Sequence, residues 1–235
     1  MSPTAIQRSA QSLAKNTAFT GDGVVVIGLG RFGTAVAQSL VHLGHDVLAM
    51  DESAQLVQDW SHRLTHVVEA DSTNADTLRK LGLQDFAHAV VAIGTDIEAS
   101  VLTVLALSEL GVPDIWAKAL SPNHGRILER TGAHHVVYPE AAMGERVAHL
   151  VTGKMIDFIE FDDGFAIVKT TAPAEATGKT LSESGVRTKH GVTVVGVKRP
   201  HQDFTYATQD TMVERGDLLI VSGPTAMVEK FAALK

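Results

Sequence analysis

The segment Gly28-Leu29-Gly30-Arg31-Phe32-Gly33 follows directly on the apolar run Val24-Val25-Val26-Ile27, and this junction constrains the fold more than any other stretch of the 235 residues. The pattern is a buried strand, a tight turn and then a helix. In such a turn the first glycine permits the sharp reversal, the second lets the backbone approach a pyrophosphate, and the third lets the helix pack close to the sheet. Phosphates then rest on the helix N-terminus, where unpaired amides and the helix dipole favour negative charge. The spacing GxGxxG is weak alone, but here a helical stripe of Ala35, Val36, Leu40 and Leu43 follows, then a second apolar run, Val47 to Met50, closed by Asp51. An acid about 20 residues beyond the glycines is where a Rossmann-type unit hydrogen-bonds adenosine ribose hydroxyls.

The βα rhythm continues through His66 to Glu69, Ala89 to Ile93, Ile115 to Ala119 and His135 to Tyr138, each followed by a helical pattern. Six such strands describe an α/β fold with a doubly wound parallel sheet. The strands are short, rich in Val and Ile and without alternation, as strands covered on both faces are. A ligand is expected at their carboxyl ends beside the first strand.

Beyond Gly153 the pattern changes to a small α+β unit. Ile156 to Phe161 and Phe165 to Thr171 flank Asp162-Asp163-Gly164, a hairpin signal. Val192 to Lys198 and Leu218 to Val221 read as strands, with a helical piece near Leu181 and a closing helix from Thr225 to Leu234. Their two-sided apolar character suggests pairing with a copy or another chain. The chain thus divides into an N-terminal tail (1–21), a nucleotide-binding domain (22–138), a crossover helix (139–153) and a C-terminal subdomain (154–235). The crossover pattern carries Ala141, Val147, Ala148, Leu150 and Val151, more apolar surface than one contact face requires, and reads as docking on another subunit.

Charge and composition narrow the function classes. The tail carries +2, residues 22–152 carry −8 and residues 153–235 carry −1. So acidic a nucleotide-binding half disfavours nucleic acid as partner and makes its few cations near strand ends, Arg31, Lys118 and Arg126, conspicuous. There is no cysteine, which excludes disulfides and thiolate chemistry and fits a reducing cytosol. No apolar stretch reaches the ~20 residues of a membrane helix. The tail, with Arg8 and Lys15 but no sustained apolar core, does not read as a signal peptide, so any membrane role is expected to run through a partner. The eleven histidines show no zinc pattern, and no GxSxG nucleophile elbow occurs.

Taken in order, the glycine turn, Asp51, Glu69-Ala70-Asp71-Ser72, the run Ala92 to Ser100, Ile115-Trp116-Ala117-Lys118-Ala119 and Pro139-Glu140-Ala141-Ala142-Met143-Gly144 resemble an RCK domain. They look most like the cytoplasmic gating subunits of Ktr-type potassium uptake systems, over about residue 22 to the end. The resemblance implies a protein without catalysis that binds ATP or ADP. It also implies assembly of dimers into an octameric ring and control of an integral-membrane potassium-translocating subunit at the inner face of the cell membrane. NAD or NADH is the alternative ligand, as in Trk and Kef regulators, and a small NAD-dependent oxidoreductase is the competing function class. The oxidoreductase reading lacks a catalytic proton donor, and the second domain is small for enclosing a substrate.

The site residues follow. Gly28, Gly30, Phe32 and Gly33 form the phosphate turn, and the resemblance implies that Arg31 reaches the γ-phosphate. Asp51 is the ribose acceptor, with Glu52 competing; Asp71 and Ser72 flank the adenine, and Gly94, Thr95 and Asp96 form the loop opposite. Lys118 is either a phosphate contact or a lysine that snorkels to water. Glu140 either answers a helix dipole or, as the resemblance implies, meets its symmetry mate around magnesium, calcium or sodium. Tyr138 stands before Pro139 where a histidine is frequent in the family. The segment around Arg187, Val192 and Val194 matches a cyclic di-AMP pocket of some relatives, but Thr193 stands where an asparagine is expected, and a plain dimer interface is favoured.

Overall fold

Strand β1 (Val24–Ile27) is buried at all four positions. Val25 and Ile27 enter one apolar core and Val24 and Val26 another, so the strand is the shared wall of two layers. The computed structural model describes residues 23–151, 155–161 and 163–234. The expected tail, the end of the crossover segment at 152–153 and Asp162 of the hairpin turn lie outside these.

From β1 the chain runs through α1 (Arg31–His42), β2 (Val47–Asp51), α2 (Ala54–Trp60), β3 (His66–Glu69), α3 (Ala75–Lys80), β4 (His88–Val91), α4 (Ile97–Glu109), β5 (Asp114–Lys118), α5 (Pro122–Thr131) and β6 (His135–Val137). The sheet order is β3-β2-β1-β4-β5-β6, with every neighbouring pair parallel. That is the doubly wound order, whose switch point lies between β1 and β4. Two expectations need correction in detail. In α1 the buried positions are Gly33, Thr34 and Ala37; Val36 and Leu40 are half-buried and pack against the core as expected, whereas Ala35 is exposed and Leu43 is 71% exposed. The helix lies so close to the sheet that its inner face takes small residues. Strand β4 ends at Val91 rather than Ile93; the Ala92 amide makes the last bond to β1, at the Ile27 carbonyl.

At the amino edge of the sheet His88, Asp114 and His135 open three adjacent strands. Asp114 Oδ2 accepts from Trp116 Nε1 at 3.0 Å and lies 2.8 Å from His88 Nδ1, while Oδ1 lies 3.2 Å from His135 Nε2. Partial burial works to raise the Asp114 pKa, but the hydrogen bonds from His88 and Trp116 and the charges of both histidines outweigh it, so the value falls below the usual one. A depressed carboxylate contributes stability above its unfolded value, about pH 4, and loses it as pH falls through the folded value. Asp114→Asn is therefore expected to cost about 1 kcal/mol at neutral pH and to narrow that gap in acid. Urea melts across the acid limb measure both; a gap that does not change with pH defeats the linkage.

The first unit ends at Glu140 and the second begins at Ala141. Helix α6 (Pro139–Val151) spans this division and buries none of its residues; Met143, Val147 and Val151 are 54%, 45% and 78% exposed. The second unit continues with β7 (Asp157–Phe161), β8 (Phe165–Thr171), β9 (Lys179–Thr180), α7 (Leu181–Ser184), α8 (Val186–His190), β10 (Thr193–Lys198), β11 (Phe204–Tyr206), β12 (Met212–Val213), β13 (Leu218–Pro224) and α9 (Thr225–Ala232). Five of its strands form the antiparallel sheet β11-β10-β13-β8-β7, and β12 pairs with β9. Ala166, Val168, Leu219 and Val221 pack with Val228 and Phe231 of α9 on one face. Ile159, Phe161, Phe165 and Phe204 remain substantially exposed.

Candidate functional site

The turn after β1 carries the geometry expected of its glycines. Gly28 has φ +97°, a left-handed conformation that excludes ordinary side chains, and a Cβ there would lie 3.1 Å from the Ala92 backbone. At Gly33 a Cβ would lie 1.8 Å from the Gly28 carbonyl oxygen. At Gly30 it would meet nothing within 4 Å. The first and third glycines thus serve the fold, whereas the second keeps open space in front of the backbone.

Helix α1 starts differently from its neighbours. In α2, α3, α4 and α5 the side chains of Ser53, Asn74, Asp96 and Ser121 accept from the first-turn amides. No side chain caps α1, whose N-cap is Gly30, and its first turn holds no acid. Its first amides and its dipole therefore point at the open space over Gly30, the arrangement that suits phosphate.

Asp51, at the end of β2, accepts from the Leu29 amide through Oδ2 at 2.6 Å and from the Ser53 amide through Oδ1 at 2.8 Å. It clips the glycine turn to β2 while each oxygen keeps lone-pair capacity for a ribose hydroxyl. Glu52 is exposed beside it. Asp71 is exposed and binds the Thr73 amide and hydroxyl through Oδ1 at 2.9 and 2.6 Å. Ser72 is buried, with its hydroxyl 2.8 Å from Thr103 Oγ1 of α4, so an adenine there would meet its backbone. Asp96 accepts from the Ala99 amide as the α4 cap, and Thr95 is exposed next to it.

Lys118, at the end of β5, does not snorkel: it is 8% exposed. Its Nζ donates to Glu140 Oε1 at 2.6 Å and stands 5.9 Å from the centre of the Phe32 ring. A Cβ on Gly94 would come within 3.0 Å of that Nζ, so Gly94 leaves the room through which the lysine passes. Glu140, the second residue of α6, has a side chain 63% exposed. The hydrogen bond from Lys118, then its own backbone amide and the charges of Lys118 and Arg31, hold its carboxyl below the usual glutamate range against a small opposing effect of burial. Arg31 is exposed at the start of α1, and Arg126 is exposed on α5. The structure thus gathers Phe32, Gly94, Lys118, Glu140 and the field of Arg31 at the carboxyl edge of the sheet. The Lys118–Glu140 pair was not anticipated, although the adjacency of β5 and β6 in the doubly wound order was a signal for it.

Glu140 alone does not make a metal site. Among the described residues no group of three or more His, Asp or Glu side chains is arranged to hold a metal ion, and the Glu140 carboxylate already has an ammonium partner. One chain by itself does not fit the expected cation.

Comparison with known proteins identifies the lineage of this arrangement. The TrkA-N domain family matches residues 24–139 and the TrkA-C domain family residues 165–235. Ktr system potassium uptake protein C of Bacillus subtilis is 37% identical over 88% of this chain and 94% of its own length. The chain belongs to the Ktr/TrkA family of potassium uptake proteins. Ktr system potassium uptake protein A of Vibrio alginolyticus is likewise 37% identical, over 87% of this chain and 94% of its own. Among solved structures, the GsuK RCK domain superposes with a TM-score of 0.64 at 19% identity, covering 93% of this chain and 48% of that one. This Ktr/TrkA-family chain therefore has the RCK fold and spans about half the length of that structural relative. No helix among its described residues is long and apolar enough to cross a membrane.

Proposed function

We propose that this chain is a non-catalytic regulatory subunit that binds ATP or ADP at the carboxyl edge of its parallel sheet and so controls a membrane-embedded potassium-translocating subunit. The observation that carries the nucleotide is the uncapped start of α1, open over Gly30 and flanked by Asp51, Arg31 and Lys118. The transport role is supported by Ktr relatives that match it over nearly their whole length. Binding regulates only if the nucleotide prefers one arrangement of the assembly over another.

Assembly belongs to the same reading. A thirteen-residue helix that buries nothing and exposes Met143, Val147 and Val151 needs a partner surface, and a second copy of the chain, repeated into an octameric ring, supplies one. A cation at Glu140 enters only if carboxylates of two copies share it. Light scattering tests the assembly, and a persistent monomer at micromolar concentration rejects it.

The rival ligand is NAD or NADH. The GsuK channel, related in fold, has been solved bound to NAD, with a TM-score of 0.63. Two cations near the turn favour a chain of phosphates over the single pyrophosphate of a dinucleotide. Calorimetric titration of nucleotide-stripped protein with ATP, ADP, NAD and NADH decides between them. Tight ATP and ADP binding supports the proposal, and preference for NADH replaces it. Arg31→Ala is expected to erase the preference for ATP over ADP, by about tenfold for a charge-assisted contact to a terminal phosphate. Equal losses for both nucleotides in that variant count against a γ-phosphate role.

A further inference from the structure

We propose that Thr103, through its hydrogen bond to Ser72, fixes the loop after β3 so that the site accepts adenine and rejects guanine. Thr103 is then a positioning residue for base selectivity. The inference rests on the nucleotide reading above and adds to it the class of base, chosen by a side chain that lies inside the core.

Thr103 stands on the buried face of α4, in a stretch where Val104, Ala106 and Leu107 are also closed to solvent. A valine there would bring no polar group to desolvate, so the hydroxyl costs stability unless it is used. A threonine within a helix ordinarily bonds to a carbonyl one turn back. Here Oγ1 of Thr103 lies 2.8 Å from Oγ of Ser72, 31 residues away in the chain. Ser72 is 8% exposed and Thr103 fully buried, so the two hydroxyls satisfy each other out of reach of water.

The bond joins the two sides of the switch-point crevice. On one side the Ala70 amide donates to the Asp51 carbonyl at 3.0 Å, Asp71 accepts from the Thr73 amide and hydroxyl, and Asn74 caps α3. Those contacts hold the loop to β2, to itself and to α3, and they leave its placement toward α4 to Ser72. On the other side α4 is seated by its buried face, and its cap, Asp96, belongs to the loop expected opposite the base. With the Ser72 hydroxyl committed to α4, the loop offers a base its backbone, donors and acceptors at fixed places. Adenine carries an amino donor where guanine carries a carbonyl acceptor. A backbone fixed to suit the first therefore sets like against like for the second, whereas a loop free to turn a peptide suits both. Selectivity depends on the tie more than affinity does.

The test is calorimetry on the full-length protein with ATP, GTP and ADP as probes, beside thermal melts. The proteins are the native chain, Thr103→Val, Thr103→Ser and the double variant Ser72→Ala with Thr103→Val. The native chain is expected to prefer ATP over GTP by about tenfold or more, as one mismatched hydrogen bond implies, and Thr103→Val to bring the two within about threefold. The ratio of ATP to ADP binding stays native, because the phosphate end is untouched, and Thr103→Ser restores the preference for adenine. Thr103→Val also melts lower, since it strands the Ser72 hydroxyl. The double variant removes both hydroxyls and recovers most of that stability, yet its base preference stays lost. A preference that returns together with stability shows a merely structural pair and overturns the proposal. A native chain that binds ATP and GTP alike, or a Thr103→Val protein that keeps the native ratio, removes the inference and leaves the nucleotide site standing. Should the native chain bind neither ATP nor ADP, the nucleotide reading itself fails and takes the inference with it.

Discussion

Gly33→Ala is expected to destabilise the first unit by about 3 kcal/mol or more, whereas Gly30→Ala leaves its stability within about 0.5 kcal/mol and removes nucleotide binding. The two glycines sit three residues apart in one motif, and the structure assigns them opposite duties. A methyl at Gly33 would lie 1.8 Å from the Gly28 oxygen and 3.0 Å from Ala92 Cβ. Neither neighbour can yield: Gly28 is fixed at φ +97° and Ala92 is tied to the Ile27 carbonyl by a 2.7 Å hydrogen bond. Helix α1 would have to lift from β1 and β4. A methyl at Gly30 meets nothing within 4 Å, and the residue's φ of −68° suits any amino acid. There the methyl intrudes only on what approaches from outside. Thermal melts should show a fall of about 6–12 °C for Gly33→Ala and almost none for Gly30→Ala. Titration with ATP should show at least a tenfold loss for the folded Gly30→Ala protein, since the second glycine is where the backbone must approach the phosphates. Native affinity in Gly30→Ala would separate the open space over that residue from the ligand.

The parallel sheet was legible because each of its strands is a short apolar run bounded by turn residues, and the βα alternation leaves few topologies for such runs. The inner face of α1 was not. The stripe Ala35, Val36, Leu40 and Leu43 looks like a core face if the largest side chains are assumed to point inward. Val36 and Leu40 do pack at the margin of that core, but the third glycine signals a helix seated too close for large side chains at the centre of the contact, and Leu43 is left in solvent. In the second unit β8 and β13 were visible, whereas β9, β11 and β12 have two or three residues each. At that length pairing partners decide the conformation, and local sequence carries little periodicity. The second short helix, α8, was missed because Gly185 looks like the end of one helix and serves also as the start of the next, at φ +64°.

At the site, residue identities were readable and partnerships were not. Lys118 and Glu140 stood out separately, one as a cation closing an apolar strand and one as an acid opening a helix. That they meet follows from the neighbouring places of β5 and β6, but whether the lysine turns inward depends on the space Gly94 leaves, a property of packing. Ser72 shows the converse case. Its position in a loop after β3 suggests a ligand contact, but the pairing of its hydroxyl with Thr103 of α4 depends on packing that the loop's own sequence does not show. His88, Asp114 and His135 form a cluster because each opens one of three adjacent strands, a relation visible only after the strand order is known.

Asp51→Asn is expected to weaken every adenosine nucleotide together, about 30- to 150-fold, the factor that corresponds to ~2–3 kcal/mol. The carboxylate has two oxygens and the fold uses both, one on the Leu29 amide within the glycine turn and one on the Ser53 amide that opens α2. An asparagine offers one acceptor oxygen and an NH2 group. Whichever way it turns, one of the two backbone amides faces a donor and loses a charge-assisted hydrogen bond. The turn then loses its clip to β2 while the ribose loses an acceptor, so the damage reaches features common to ATP, ADP and the dinucleotides. This separates it from Arg31→Ala, which acts at the phosphate end and alters the choice between ATP and ADP. The variant should remain folded, because Asp51 is only partly buried and the cores on both faces of β2 are untouched. Titrating the variant with ATP, ADP and NADH reads the result directly. Parallel losses support a role for Asp51 in what all adenosine nucleotides share, whereas a loss confined to ATP would move it toward the terminal phosphate and require a different orientation of the nucleotide across the switch point between β1 and β4.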